Sequence, residues 1–291
     1  MFLKQKWYSS LAILVTLLCM MAFMSNTSIA HAASLSKRSF TVGGGTISGL
    51  LTPLENPGHL KTSSTQSSTF PSDLLNASGV QYFVITGELV GTHYAYPLEF
   101  TANKGQSLGI VEISSDPIAH TQVIAVGMPT AKLLNPSMQQ GKSQSQSQQK
   151  TASIVPFTSS GSKSFTTTWY DPVNLNVNWV KDTINFSYNG SIVTSFSGSD
   201  SRWWLSESGW FEAGHSIDSG YIGAGSNPQI QAAVYTFDHM QNNTFCAGQT
   251  TNVYYSNNAV IANGNGSTSG TINTWDDGGC SSWLHYGTAL G

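Results

Sequence analysis

The chain of 291 residues carries 12 Lys and Arg against 15 Asp and Glu, a formal net charge of −3, and only 9% of it is charged. Soluble proteins ordinarily hold about 25% charged residues. Without clustered Lys and Arg to meet phosphates, nucleic acid is excluded as a partner. Serine, threonine, asparagine, glutamine and glycine take the place of charge, a composition typical of exported β-proteins.

Residues 1–32 read as a signal peptide. Lys4 and Lys6 give a basic start, Leu11 to Met24 form an uncharged apolar run, and Ala30-His31-Ala32 supplies small residues before a cleavage site at Ala33 or Ser34. The apolar run of about 14 residues is short for a hydrocarbon core of roughly 30 Å, so no stable membrane anchor is expected after cleavage. Leu18 precedes Cys19 where lipidation needs a small residue, which excludes a lipid anchor. A secreted, extracellular protein is the expectation.

Residues 34–138 read as a β-rich N-terminal region. Val42-Gly43-Gly44-Gly45-Thr46-Ile47 is glycine-rich, but Pro53 and Pro57 prevent the helix a phosphate loop requires. Within Val80 to Phe100, the run Tyr82 to Gly87 is apolar on both faces and suits a strand covered on both sides; Gly91-Thr92 then turns the chain, and Pro97 marks an edge or a bulge. Leu108 to Ile113 and Thr121 to Val126 give two further strands, parted by Asp116-Pro117, and Met128 to Met138 gives at most a short helix.

Residues 139–163 open on a Ser/Gln-rich run with no apolar side chain between Gln139 and Lys150, which reads as a linker. Charge changes across it. Residues 34–150 hold seven basic and six acidic groups, and residues 151–291 hold three and nine, so two separate cores are expected.

Residues 164–291 read as an all-β module, an antiparallel sandwich or barrel rich in tryptophan. Strands are predicted at Ser164 to Tyr170, Asn174 to Val180, Thr183 to Tyr188, Ser191 to Phe196, Gln229 to His239, Thr250 to Tyr255 and Thr271 to Trp275. Around Asn189-Gly190, a three-residue loop would set Phe186 opposite Ile192, with Gly190 in the left-handed position of a bulge. Cys246 and Cys280 are the two cysteines left after the signal segment, and in an exported chain they pair.

Candidate chemistry concentrates between Arg202 and Glu212. Adjacent Trp203 and Trp204 point to opposite faces of a strand, which would leave one exposed. With Arg202 and Trp210 they form a candidate surface for glycan of a cell wall or of the environment. Core filling is the competing reading of each indole. Glu207 and Glu212 are the candidate carboxylates for an alternative, polysaccharide hydrolysis, which needs two carboxyl groups roughly 5–10 Å apart. Otherwise no catalytic residue is assigned.

Gly214-His215-Ser216-Ile217-Asp218 gathers His, Ser and Asp locally, but a triad is a spatial arrangement and no Gly-x-Ser-x-Gly elbow accompanies it. The other histidines form no His-x-x-x-His pair, so no metal and no cofactor are expected. Asp276-Asp277-Gly278-Gly279 reads as an Asx turn or an oxygen-rich calcium loop.

Thr168-Trp169-Tyr170-Asp171-Pro172, Tyr188-Asn189-Gly190-Ser191 and Ser208-Gly209-Trp210, with the two cysteines, resemble in this order a group of small secreted bacterial proteins. The resemblance spans roughly Ser164 to His285. It implies a secreted β-module and brings no activity and no functional residue with it.

Overall fold

Alternation of side chains across a pleated backbone governs the fold. From Ser195 to Ser201 every outward position of one strand is serine, while Phe196, Gly198, Asp200 and Arg202 turn inward and are buried. The computed structural model describes residues 36–55, 74–76, 79–103, 105–134, 147–150, 158–224 and 227–291. Residues 1–32, expected to be a signal peptide, lie outside the described residues.

In chain order the first strands are β1 (Arg38–Val42), β2 (Gly45–Gly49), β3 (Leu51–Pro53), β4 (Gln81–Thr86), β5 (Glu88–Val90), β6 (His93–Ala95), β7 (Leu98–Ala102), β8 (Leu108–Asp116) and β9 (Thr121–Gly127). After the short helix α1 (Ala131–Leu134) come β10 (Ser147–Lys150), β11 (Ser159–Tyr170), β12 (Asn176–Tyr188), β13 (Val193–Trp204), β14 (Trp210–Ala224) and β15 (Asn227–Cys246). The last are β16 (Gln249–Asn263), β17 (Thr268–Ile272), β18 (Thr274–Gly278) and β19 (His285–Leu290).

Two antiparallel sheets form a sandwich. One runs β1-β2-β7-β17-β16-β15-β14, with β18 beside the lower half of β16, and the other runs β10-β13-β12-β11-β19-β8-β9-β4-β3. A small ribbon, β5-β6, pairs with neither sheet, and its Tyr94 packs against the main core. Between the sheets lies the main core, where Ile47 and Phe100 of one sheet meet Phe165, Val180 and Ile184 of the other. A second cluster, Leu74, Leu75, Val111, Ile113 and Leu133, covers the outer face of β8 and β9. Burial on both faces is found in β8, β9, β19 and the second half of β11, whereas β4 buries chiefly Phe83 and Ile85.

Three expectations change. The two halves are not separate cores, because β7 pairs with β17 and β8 pairs with β19. The charge difference between them describes surfaces, which say nothing about which strands pair. The linker is shorter than its composition implies: Ser147–Lys150 pairs with β13, and Ser159 to Lys163 already belong to β11. Residues 139–146 and 151–157 lie outside the described residues. Asn176–Tyr188 is one strand where the sequence suggests two, since Lys181 and Asp182 continue the ladder without a break.

The hairpin turn also differs. Tyr188 pairs with Val193 and Phe186 with Phe196, leaving the four-residue loop 189–192. Asn189 closes it: its Oδ1 accepts from the backbone N–H of Ser191 at 3.1 Å and of Ile192 at 3.0 Å. Gly190 does take a positive φ, 96°. The side-chain clamp of Asn189 fixes the loop length, and a match of apolar residues across the strands does not reveal it.

Candidate functional site

The segment Arg202 to Glu212 is largely interior. Trp203 lies directly opposite Trp179 in the β12–β13 ladder and is 4% exposed; Trp210 is 1% exposed. Trp204 is half-buried against the main core. Trp203 is closed to solvent, and Trp204 keeps only partial exposure. Arg202, 4% exposed, is equally withdrawn from any surface. Glu207 is exposed on a single 3₁₀ turn, Ser206–Ser208, while Glu212 turns towards the interior. The two carboxylates are held in different surroundings.

Arg202 anchors a charge network between the sheets. Its Nη1 donates to Asp200 Oδ2 at 2.7 Å, its Nε donates to Glu212 Oε2 at 2.9 Å, and Asp238 Oδ2 lies 3.9 Å from Nε. His215 stands between two buried aspartates, Nδ1 at 3.3 Å from Asp238 Oδ2 and Nε2 at 3.5 Å from Asp200 Oδ2. Burial works to lower the Arg202 pKa, but Glu212, Asp200 and Asp238 together raise it. Burial likewise raises the Asp238 carboxyl, against the opposing pull of His215. Glu212, His215 and Asp238 bring ligand-type atoms within 4.8 Å of one another. The guanidinium already supplies a cation to that group, so the arrangement reads as an internal ion network. Ser216 is exposed on β14, and Asp218 bonds the N–H of Ser219, so the local His-Ser-Asp run forms no triad.

A partly exposed aromatic row lies elsewhere, on the outer face of the β14–β15–β16–β18 sheet. His239, Tyr254 and Trp275 are successive cross-strand partners on β15, β16 and β18. Their rings stack in a row, centroids 4.3 Å apart at 15° and then 5.0 Å apart at 18°. Below the rings a second row runs the same way: His239 Nε2 lies 3.0 Å from Asn252 Oδ1, and Asn252 Nδ2 donates to Asp277 Oδ1 at 2.6 Å. Phe237 and Phe211, 41% and 38% exposed, flank the row on β15 and β14.

At its Trp275 end the row opens into a cleft of about 190 Å³. Trp275, Asp276 and Asp277 of β18 form one wall, Tyr94 of β6 and His120 of the β8–β9 turn form another, and Ser281 and Ser282 close the side. Tyr94 and His120 stack face to face, centroids 3.5 Å apart at 8°. The disulfide Cys246–Cys280 joins the end of β15 to the residue before Ser281 and so fixes that side. Asp276 and Asp277 thus belong to a strand, and the Asx turn or calcium loop expected there is replaced by pairing with Val253 and Asn252.

The cleft holds a carboxyl poised near neutrality. Burial, helped by Asp277, pushes Asp276 up to about 7. Behind it Glu112, 3% exposed, is raised well above the usual range by burial and by Asp276. Burial, with Glu112 next, pushes the Tyr96 hydroxyl to about 12. Near neutral pH the cleft therefore offers hydroxyl donors and one carboxyl, Asp276, shared between its protonated and ionised forms, beside flat rings. None of its lining residues is Lys or Arg. Sequence reasoning missed it because its walls come from positions between Tyr94 and Ser282; the alternation that points Tyr254 and His239 outward is the one cue the sequence holds.

No family model, curated protein or solved structure matches this chain.

Proposed function

We propose that this is an exported, non-catalytic β-sandwich protein that binds glycan of a cell wall or of its surroundings. The ligand would lie along His239, Tyr254 and Trp275 and enter the adjoining cleft. The observation that carries this reading is the stacked row of three rings, partly exposed on a sheet face and ending among hydroxyl groups. Sugar rings present flat C–H faces and many hydroxyls, the two features that aromatic planes and Ser, Tyr and Asp side chains complement. An acidic lining without basic residues disfavours anionic ligands and suits a neutral one. Disulfides persist in oxidising compartments, so the Cys246–Cys280 bond supports export.

The test is pull-down on a panel of insoluble polysaccharides, followed by calorimetry with soluble fragments. Trp275→Ala and Tyr254→Ala should lose binding while keeping their circular dichroism, and Trp283→Ala, exposed outside the row, should bind normally. A wild type that binds nothing on a broad panel, or a folded Trp275→Ala that binds undiminished, defeats the proposal.

One observation favours a second reading. A carboxyl at about 7 in an aromatic cleft is what a glycosidase requires of its acid. Glycan hydrolysis would then use Asp276 as proton donor, in place of Glu207 and Glu212. Reducing-sugar release lost in Asp276→Asn supports it; no release by the wild type removes it.

A further inference from the structure

The interior of the sandwich contains a polar layer unrelated to the cleft. Thr167 of β11, Asp182 of β12, Thr236 of β15, Asn258 of β16 and Thr288 of β19 are all closed to solvent, none more than 1% exposed. They touch in sequence. Thr167 Oγ1 donates to Asn258 Oδ1 at 2.8 Å, Asn258 Nδ2 donates to Asp182 Oδ2 at 3.3 Å, and Thr236 Oγ1 donates to Asp182 Oδ1. Thr288 Oγ1 lies 3.1 Å from Thr167 Oγ1 while donating to the Thr166 carbonyl at 3.0 Å, which holds the Thr167 side chain in place.

We propose that Thr167 and Asn258 form an intramolecular ester that covalently joins the two sheets, with Asp182 as the proton relay. The hydroxyl oxygen is a hydrogen bond away from the amide oxygen. Since a C=O bond is about 1.2 Å, it is no more than about 4 Å from the amide carbon. Two groups held so, in a site that excludes water, gain a large effective concentration over their encounter in solution. Asp182 has no basic residue among its bonded partners, and burial raises its pKa well above the usual range, so it carries the proton the reaction needs.

The atoms balance without oxidant or reductant. Thr167 Oγ bonds to Cγ of Asn258, and the hydroxyl proton moves to Oδ1, giving a tetrahedral centre. Asp182 then gives its proton to Nδ2, the Cγ–Nδ2 bond breaks, and ammonia leaves. The proton on Oδ1 returns to Asp182 as the C=O bond re-forms. Alcohol and carboxamide have become ester and ammonia, and Asp182 ends as it began. Exclusion of water then protects the ester from hydrolysis.

The chain offers a clean readout. There is no Lys or Arg after Arg202, so trypsin places Asn258 on the peptide 203–291 and Thr167 on the peptide 164–181. Cys246 and Cys280 both lie on the former, so their bond cannot join the two peptides. Digestion of the purified, denatured full chain, reduced and analysed by mass spectrometry, should give these peptides as one species. Its mass should be about 17 Da below their sum, the loss of one ammonia. Mild alkali should separate them, leaving threonine at 167 and aspartate at 258. Thr167→Val and Asp182→Asn should abolish the link, and Thr167→Ser should retain it.

Separate wild-type peptides with an intact Asn258 overturn the proposal. So does simple deamidation at Asn258 without a link, or an ammonia loss confined to Asn189-Gly190, which lies on a third peptide.

Discussion

Asp182 and Asp200 stand directly opposite one another in the β12–β13 ladder, both shut away from water. Like charges in this position repel. The protein answers differently at each. Asp200 bonds to Arg202, two residues along on the same inward face, and Arg202 passes on to Glu212. Among the described residues Asp182 meets hydroxyl and amide donors from Thr236 and Asn258, and burial raises its pKa well above the usual carboxyl range. One carboxyl thus meets a cation, and the one facing it meets hydroxyl and amide donors.

Arg202 should therefore be among the most sensitive positions in the chain. Arg202→Met keeps much of the stem but strands Asp200 without its cation. Breaking a buried pair from one side costs about 3–5 kcal/mol. Urea unfolding of the variant should show a loss of that order. A loss under about 1 kcal/mol, the range of exposed pairs, would mean that Arg202 contributes no more than a surface ion pair.

Stability should fall as pH rises from about 4 to about 7. Asp276 sits at about 7, and Asp182, Glu112 and Asp238 are also raised, so the folded state holds protons that the unfolded chain has released. His285, lowered by burial to about 4, opposes this, adding stability as pH rises towards 6.5. Four carboxyl groups should outweigh one imidazole. The urea midpoint should be higher at pH 5 than at pH 7.5, and Asp276→Asn should narrow the difference. A midpoint that rises with pH would contradict the protonated carboxyls.

Class of fold and the disulfide were legible in the sequence because each rests on a local or exclusive signal. Period-two alternation and frequent Gly and Asn turns mark strands, and the two cysteines beyond residue 32, Cys246 and Cys280, have one another alone to pair with. Strand partners were not legible. Phe186 faces Phe196 because Asn189 clamps a longer loop, and one such side-chain bond moves a whole ladder. The His239–Tyr254–Trp275 row depends on the registers of β15, β16 and β18 together. The buried Trp203 shows the reverse case, a large aromatic whose sequence position suggests exposure but which is covered on the face where the serines from Ser195 to Ser201 are not.

Gly198 should resist enlargement. A Cβ there would lie 2.4 Å from Cγ2 of Val234 on the facing sheet, a distance real Cβ atoms do not show. Gly198→Ala should cost about 1–3 kcal/mol through overpacking. Gly220 on β14 has nothing within 4 Å of such a Cβ, and Gly220→Ala serves as the neutral control. Equal unfolding midpoints for the two would show that the sheets can part at Val234 without penalty.

The disulfide should matter to ligand as well as to fold. It closes a loop of 34 residues, for which chain entropy gives about 4 kcal/mol of stabilisation. Cys280 directly precedes the turn carrying Ser281 and Ser282, so the bond also holds one side of the cleft against β15. The paired change Cys246→Ser and Cys280→Ser should lower the unfolding midpoint and weaken polysaccharide binding at temperatures where the variant remains folded. Tyr254→Ala should weaken binding with the bond intact. Binding unaffected by the double serine change would show that β18, through its ladder with β16, positions the cleft without help.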